Sequence, residues 1–314
     1  MATSYWDQRV IQADDLVARA EELAEGEPGT EPARAAARQA VQAADALARD
    51  RGTAADLRRL GQALWRQASA FLVSGDPAAA LAPARRCWAL TERALASVPP
   101  DSPEWGETVG EAVQRLGVIM PALSISGRPD EGQDAYGACQ AAVHRSSSGG
   151  PRVRQAQARL LVFYLTAAAD AYAAARVDGR WEQVADQAYL DMLAGRDAAA
   201  ALREFAGDGP VEVIEVATTL RMVSRIATVA GELRQAADTL DEAIELAGTV
   251  AQRGPAYGAI LDGLRAERDG LGPALGERTA PEPDPGPGSA GGPGQPVRPG
   301  RGRGWRAGRR SRSG

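Results

Sequence analysis

Four short stretches decide the reading of this chain: VSGDP at 73–77, ISGRP at 125–129, VDGRW at 177–181 and VAGEL at 229–233. Their glycines, Gly75, Gly127, Gly179 and Gly231, stand 52 residues apart each time. The flanking columns agree. Eighteen residues before the glycines are Leu57, Val109, Leu161 and Val213, and eleven before are Leu64, Leu116, Ala168 and Leu220. Leu60, Ala112, Tyr164 and Val216 stand fifteen before, Phe71, Leu123, Ala175 and Ala227 four before, and Val73, Ile125, Val177 and Val229 two before. Apolar residues at steps of three, four and seven mark the buried stripe of a helix. Thirteen before each glycine the column turns polar, with Gln62, Gln114, Thr166 and Thr218. Agreement in both apolar and polar columns points to an internal repeat.

Each glycine ends one helix and precedes another. Pro77 and Pro129 sit where a first-turn proline is tolerated, because that amide has no helical partner. Asp76 is a good N-cap, and Thr53 with Asp56 three residues on has the capping-box pattern. Pro103, Pro151, Pro210 and Pro255 mark further helix starts. Pro83 and Pro121 fall inside expected helices, where kinks are expected. The unit is therefore an antiparallel helix pair, about 20 residues per helix. Residues 4–50 read as a degenerate first pair turning around GEPGTEP. Residues 255–271 read as a last amphipathic helix using Ile260, Leu261 and Leu264, which caps the stack. The expected fold is all-α: an α-solenoid of about five antiparallel hairpins over residues 1–272, with a C-terminal capping helix. Residues 273–314 are expected to form a disordered tail rich in Pro, Gly and Arg.

A helix, a tight glycine turn and a second helix with small residues five and twelve past the turn resemble the tetratricopeptide repeat (TPR) family. GELRQAADTLDEAIELA places Ala236 and Ala243 at the small positions, and GDPAAALAPARRCWAL places Ala80 and Cys87 there. Trp181 stands where the family often has an aromatic residue. The 52-residue period exceeds the roughly 34 residues of the standard unit, and Asp191 interrupts the second small column, so the likeness is to longer-helix members such as those of actinobacterial regulators. The resemblance covers residues 50–270. It implies a concave surface lined by the first helix of each pair, where a peptide or protein segment binds.

Composition narrows the chemistry. The chain has 314 residues, 44% hydrophobic and 5% aromatic, with one histidine, two cysteines and no lysine. Without lysine, neither a GxxxxGK[ST] phosphate loop nor a Schiff-base enzyme is possible. His144 is alone, so a catalytic triad or multi-histidine metal site has little to be built from. No signal segment is expected from MATSYWDQRV, and no apolar run reads as a membrane span, which makes the cytoplasm the expected compartment and a membrane partner unexpected. The reading is non-enzymatic, without cofactor or metal.

Individual candidates mostly read as packing. Cys87 and Cys139 share one column, and neighbouring units are too far apart, at about 10 Å, for a disulfide. They read as small buried residues rather than a redox pair. GPGSAG at Gly286, Gly288 and Gly291 formally matches GxGxxG, but it lacks the strand and helix that make that loop work. Asp238, Asp241, Glu242 and Glu245 read as a solvated face. The groove positions implied by the resemblance give Trp65, Ser69 and Leu72 in one unit, Arg176 in another, and Arg221, Arg225 and Thr228 in the last. Trp65 is the expected apolar anchor. Arg221 and Arg225, one turn apart, are the expected clamp for an acidic group; paired surface arginines are the alternative.

Residues 281–314 contain 17 Pro or Gly and carry seven arginines against two acids, a net +5. The rest of the chain holds 29 arginines against 39 acids, a net −10. Such a segment cannot bury enough apolar area to offset its ordering entropy. Its Arg-Gly-rich run, with Arg301, Arg303, Arg306, Arg309 and Arg310, and Trp305 suit phosphates and bases, giving nucleic-acid association as the alternative function. Self-association into homo-oligomers is left open by the sequence.

Overall fold

The computed structural model describes residues 4–27, 29–146, 150–207 and 209–276. The chain divides into a unit of residues 1–277 and one of 278–314. The tail candidates Arg301, Arg303, Trp305, Arg306, Arg309 and Arg310, like the GxGxxG match, lie outside the described residues.

The described residues form eleven α-helices and no strand: α1 (Tyr5–Gly26), α2 (Glu31–Asp50), α3 (Ala54–Val73), α4 (Pro77–Ser97), α5 (Trp105–Ile125), α6 (Pro129–His144), α7 (Pro151–Val177), α8 (Ala185–Phe205), α9 (Pro210–Ala230), α10 (Leu233–Val250) and α11 (Pro255–Leu275). Single 3₁₀ turns at Trp181–Gln183 and Ala251–Arg253 precede α8 and α11. Each helix packs on the next in sequence, and each odd-numbered helix also packs on the next odd one, from α1·α3 through α9·α11.

The four glycines end α3, α5, α7 and α9 in the same way. All have positive φ, between 70° and 89°. The amide of the residue after each glycine donates to a carbonyl five residues back: Asp76 to Phe71, Arg128 to Leu123, Arg180 to Ala175 and Glu232 to Ala227, at 2.8–2.9 Å. Each glycine amide donates to the carbonyl three before it. This double closure is the Schellman motif, which requires a left-handed residue and so favours glycine. Phe71, Leu123, Ala175 and Ala227, whose carbonyls receive the longer bond, are the column four before the glycines.

The helix starts follow the expected chemistry. Asp76 Oδ1 accepts from the Ala79 amide at 3.0 Å, and Thr53 Oγ1 from the Asp56 amide at 3.2 Å. α4, α6, α7, α9 and α11 each begin at a proline, whereas α5 begins at Trp105, two residues past Pro103. α4 and α5 continue through Pro83 and Pro121. α11 ends at Leu275, three residues beyond the expected boundary at 272, and Gly276 caps it in the left-handed conformation.

The buried side chains form two clusters. The first runs from Ala20 through Leu64, Leu116 and Leu123 to Leu160, and the second from Ala158 through Met192, Leu220 and Ile226 to Leu271. Fully buried alanines (Ala40, Ala44, Ala63, Ala80, Ala84, Ala112, Ala135) fill the first, as close helix approach requires. The eleven-before column is buried throughout. The two-before column corrects the sequence reading. Val73, Ile125 and Val177 are 59%, 64% and 87% exposed, because they stand in the last turn beyond the reach of the paired helix.

α7 supplies a second correction. It is 27 residues long and apolar enough to cross a membrane by length and composition. Here it packs on α5, α6, α8 and α9. Its first part, with Val153, Ala156 and Leu160, joins the first cluster, while Leu165, Ala169 and Tyr172 join the second.

Candidate functional site

Arginine–carboxylate pairs cross every seam between successive odd helices. Arg59 reaches Asp14 and Arg66 reaches Glu21 (α3 to α1), Arg58 reaches Glu111 (α3 to α5) and Arg152 reaches Glu107 (α7 to α5). Arg159 meets Glu215, Arg225 meets Asp170, both between α7 and α9, and Arg221 meets Glu267 on α11. Exposed pairs of this kind contribute up to about 1 kcal/mol each. They set the register and charge pattern of the surface more than its stability.

This ladder determines where the expected clamp residues point. Arg221 Nε donates to Glu267 at 2.9 Å, and that carboxylate raises the guanidinium pKa further. Arg225 donates to Asp170 Oδ1 at 2.8 Å. The two guanidiniums are thus drawn toward the helices on either side of α9 instead of converging. Both are paired surface arginines, and the nearby Glu215 is taken by Arg159. Arg176 is exposed, with its guanidinium 5.1 Å from the Trp181 ring centre.

Trp65 and Leu72 are half-buried against the first core cluster. The Arg66 guanidinium covers the Trp65 ring at 4.4 Å. Burial lowers the Arg66 pKa to about 10, which leaves it charged at neutral pH. One face of the indole is therefore covered from within the chain.

An apolar cavity of about 280 Å³ opens instead among α5, α7 and α9. Val113, Val162, Phe163, Val211 and Ile214 form its walls, with Tyr257 at one side and the Arg159–Glu215 pair at its rim. Gln114 and Thr218, members of the polar thirteen-before column, border it. Gly117 opens it: a Cβ there would stand 3.8 Å from Phe163 Cζ.

A second cavity, about 480 Å³, lies among the start of α3, the end of α4 and α5. Its walls include Leu57, Leu90, Ala94 and Val98, with Arg115 among its polar groups. Arg115 is 4% exposed. Its Nη1 donates to Thr91 Oγ1 at 3.1 Å and its Nη2 to Glu111 Oε2 at 3.2 Å. The Nε–H has no acceptor among the described residues.

The remaining candidates are packing elements. Cys87 and Cys139 are free, fully buried thiols, and burial pushes them up to about 11 and about 12. Both are protonated and unreactive at neutral pH. Cys87 donates to the Gly61 carbonyl at 3.4 Å. Asp191, two units further along the same column, accepts from the Tyr172 hydroxyl at 2.6 Å and from Gln187 Nε2 at 2.8 Å, which satisfies its buried carboxylate. Asp241 and Glu242 pair with Arg268 and Arg203. His144 is exposed at the end of α6. Among the described residues no three His, Cys, Asp or Glu side chains gather as a metal site would need.

No family model matches the chain, and no curated protein matches it in sequence.

Proposed function

We propose that the chain is a TPR-like solenoid that holds an extended peptide or protein segment on the surface shared by its odd-numbered helices. On this reading the five hairpins wind as a right-handed spiral capped by α11. The segment's apolar side chain enters the 280 Å³ cavity among α5, α7 and α9. The observation that carries the proposal is the apolar slot on the face where successive odd helices pack side by side. Gln62, Gln114 and Thr218 have no side-chain hydrogen-bond partner among the described residues and recur at one repeat position, suited to the backbone amides of a bound strand. The ion pairs along the same surface offer either sign of charge to flanking residues, so an acidic segment binds by displacing Glu267 from Arg221 or Asp170 from Arg225.

A random-peptide display selection tests the proposal. Segments enriched on the wild-type chain are expected to lose at least about tenfold in affinity for Gly117→Trp, which fills the slot. Equal binding by Gly117→Trp refutes the slot as the anchor. Arg221→Ala with Arg225→Ala then separates the two anchoring modes: unchanged affinity assigns recognition to the slot, and a loss assigns an acidic group to the arginines.

A nucleic-acid reading rests on the charge division alone, with +5 in residues 281–314. Salt-dependent retention on RNA or DNA that disappears on removing residues 281–314 supports it. No retention at low salt removes it.

A further inference from the structure

We infer that the cavity among α3, α4 and α5 is a binding site for an amphipathic carboxylate, distinct from the slot among α5, α7 and α9, with Arg115 as the residue that receives the head group.

The inference begins with a charge that is short of partners. Arg115 belongs to a repeat column otherwise occupied by Ala63, Ala167 and Thr219, and its side chain is 95% buried. Burying a guanidinium costs several kcal/mol unless its donors and its charge are answered. The answer within the chain is partial. Glu111 is its carboxylate partner, and Glu111 is shared: Oε1 meets Arg58 Nε at 3.1 Å while Oε2 meets Arg115 Nη2 at 3.2 Å. Thr91 supplies a neutral oxygen to Nη1, and Nε has none among the described residues.

The chain has also made room for this arginine. Gly61 lies against the guanidinium, and a Cβ there would approach its atoms to 3.1–3.2 Å. Gly61 falls in a column that holds Val113, Leu165 and Ala217 in the other units, all buried. One unit therefore has a small residue where the others are apolar, and the next has an arginine where the others are small. The two exchanges compensate in volume, the glycine admitting the arginine to the cavity's wall.

The cavity supplies the rest. Its ionisable groups are Arg58, Arg93 and Arg115 against Glu104 and Glu111, a net charge of +1. Arg93 has no ion-pair partner among the described residues. The walls are mainly apolar, with Leu57, Leu90, Ala94 and Val98. At about 480 Å³ the space falls in the range of small-molecule sites, which combine apolar walls with a few convergent polar groups. A single negative charge balances the site, and a planar carboxylate suits a guanidinium. A fully apolar ligand leaves the positive charge unanswered, and a dianion overcompensates it.

Decanoate, kept below its micelle-forming concentration, is the probe, with decanol as the uncharged control and isothermal titration calorimetry as the readout on the full chain. One decanoate per chain is expected to bind, and decanol at least about tenfold more weakly. Arg115→Met is expected to weaken decanoate at least about tenfold and to leave decanol unchanged. Ala94→Trp, which fills the cavity from the α4 wall while keeping every charge, is expected to abolish decanoate binding, with circular dichroism confirming retained helicity. Absence of saturable decanoate binding up to about 1 mM overturns the inference. So does equal affinity for decanol, or wild-type affinity in Ala94→Trp. Because the slot among α5, α7 and α9 is untouched by either variant, peptide capture tested in parallel reports the groove reading independently.

Discussion

The two ends of the hairpin stack are built by different rules. At one end the turns after α3, α5, α7 and α9 repeat the same left-handed glycine and the same pair of backbone hydrogen bonds. At the other end the connections differ. Residues 98–104 join α4 to α5, 145–150 join α6 to α7, 206–209 join α8 to α9, and 251–254 join α10 to α11. None of the helices that follow these four has a side-chain N-cap, while α3 is capped by Thr53. A turn closed by its own backbone leaves little latitude in sequence. A connection held by packing can lengthen, and the longest one, with Val98 and Glu104, borders the cavity that holds Arg115. Regularity at one end thus leaves the other free to diversify.

The largest test of this contrast replaces a turn glycine with a β-branched residue. Gly127→Val is expected to cost about 2 kcal/mol, and Ala at Gly75, Gly127, Gly179 or Gly231 about 1 kcal/mol each, read from urea unfolding. Values that scatter widely among the four alanine variants break the equivalence of the turns. At the variable end Thr53→Ala is expected to cost about 1 kcal/mol by loss of the cap. Glu104→Ala, which removes no cap, is expected to stay within about 0.5 kcal/mol of wild type; a larger loss assigns that connection a constraint of its own.

A pH-dependent effect concerns the seam between the ends. Cys87 and Cys139 have thiols raised by burial from 9.0 to about 11 and about 12. Above pH 9 the unfolded chain loses these protons before the folded chain does, so stability falls as pH rises from 9 toward 11. Cys87→Ala with Cys139→Ala is expected to flatten that decline in thermal unfolding series. An unchanged slope places its origin elsewhere.

The same contrast explains what could be read from residues alone. The turn glycines and first-turn prolines were legible because each answers a local backbone demand that few residues can meet. The column of Val73, Ile125 and Val177 misled because apolar periodicity marks a face, and the helix's final turn extends beyond the neighbour that would cover it. The expected clamp of Arg221 and Arg225 rests on spacing along one helix, which places both side chains on one face. Their directions depend on Glu267 and Asp170, 46 and 55 residues away, and no pattern within α9 records those. Trp65 is a groove position only through the family resemblance, which carries no sign that Arg66 lies across its ring. Arg115 did leave a trace, the opposite exchanges at positions 61 and 115. That trace becomes readable only when α3 and α5 are known to touch.

Among the described residues, α7 is the one helix that both interior clusters claim, the first for Val153, Ala156 and Leu160, the second for Leu165, Ala169 and Tyr172. Neither half of the molecule can shed this helix without baring its own interior. Amide exchange along the turn between 160 and 165 therefore follows whichever half opens more readily, which makes those few amides a gauge of how tightly the halves melt together.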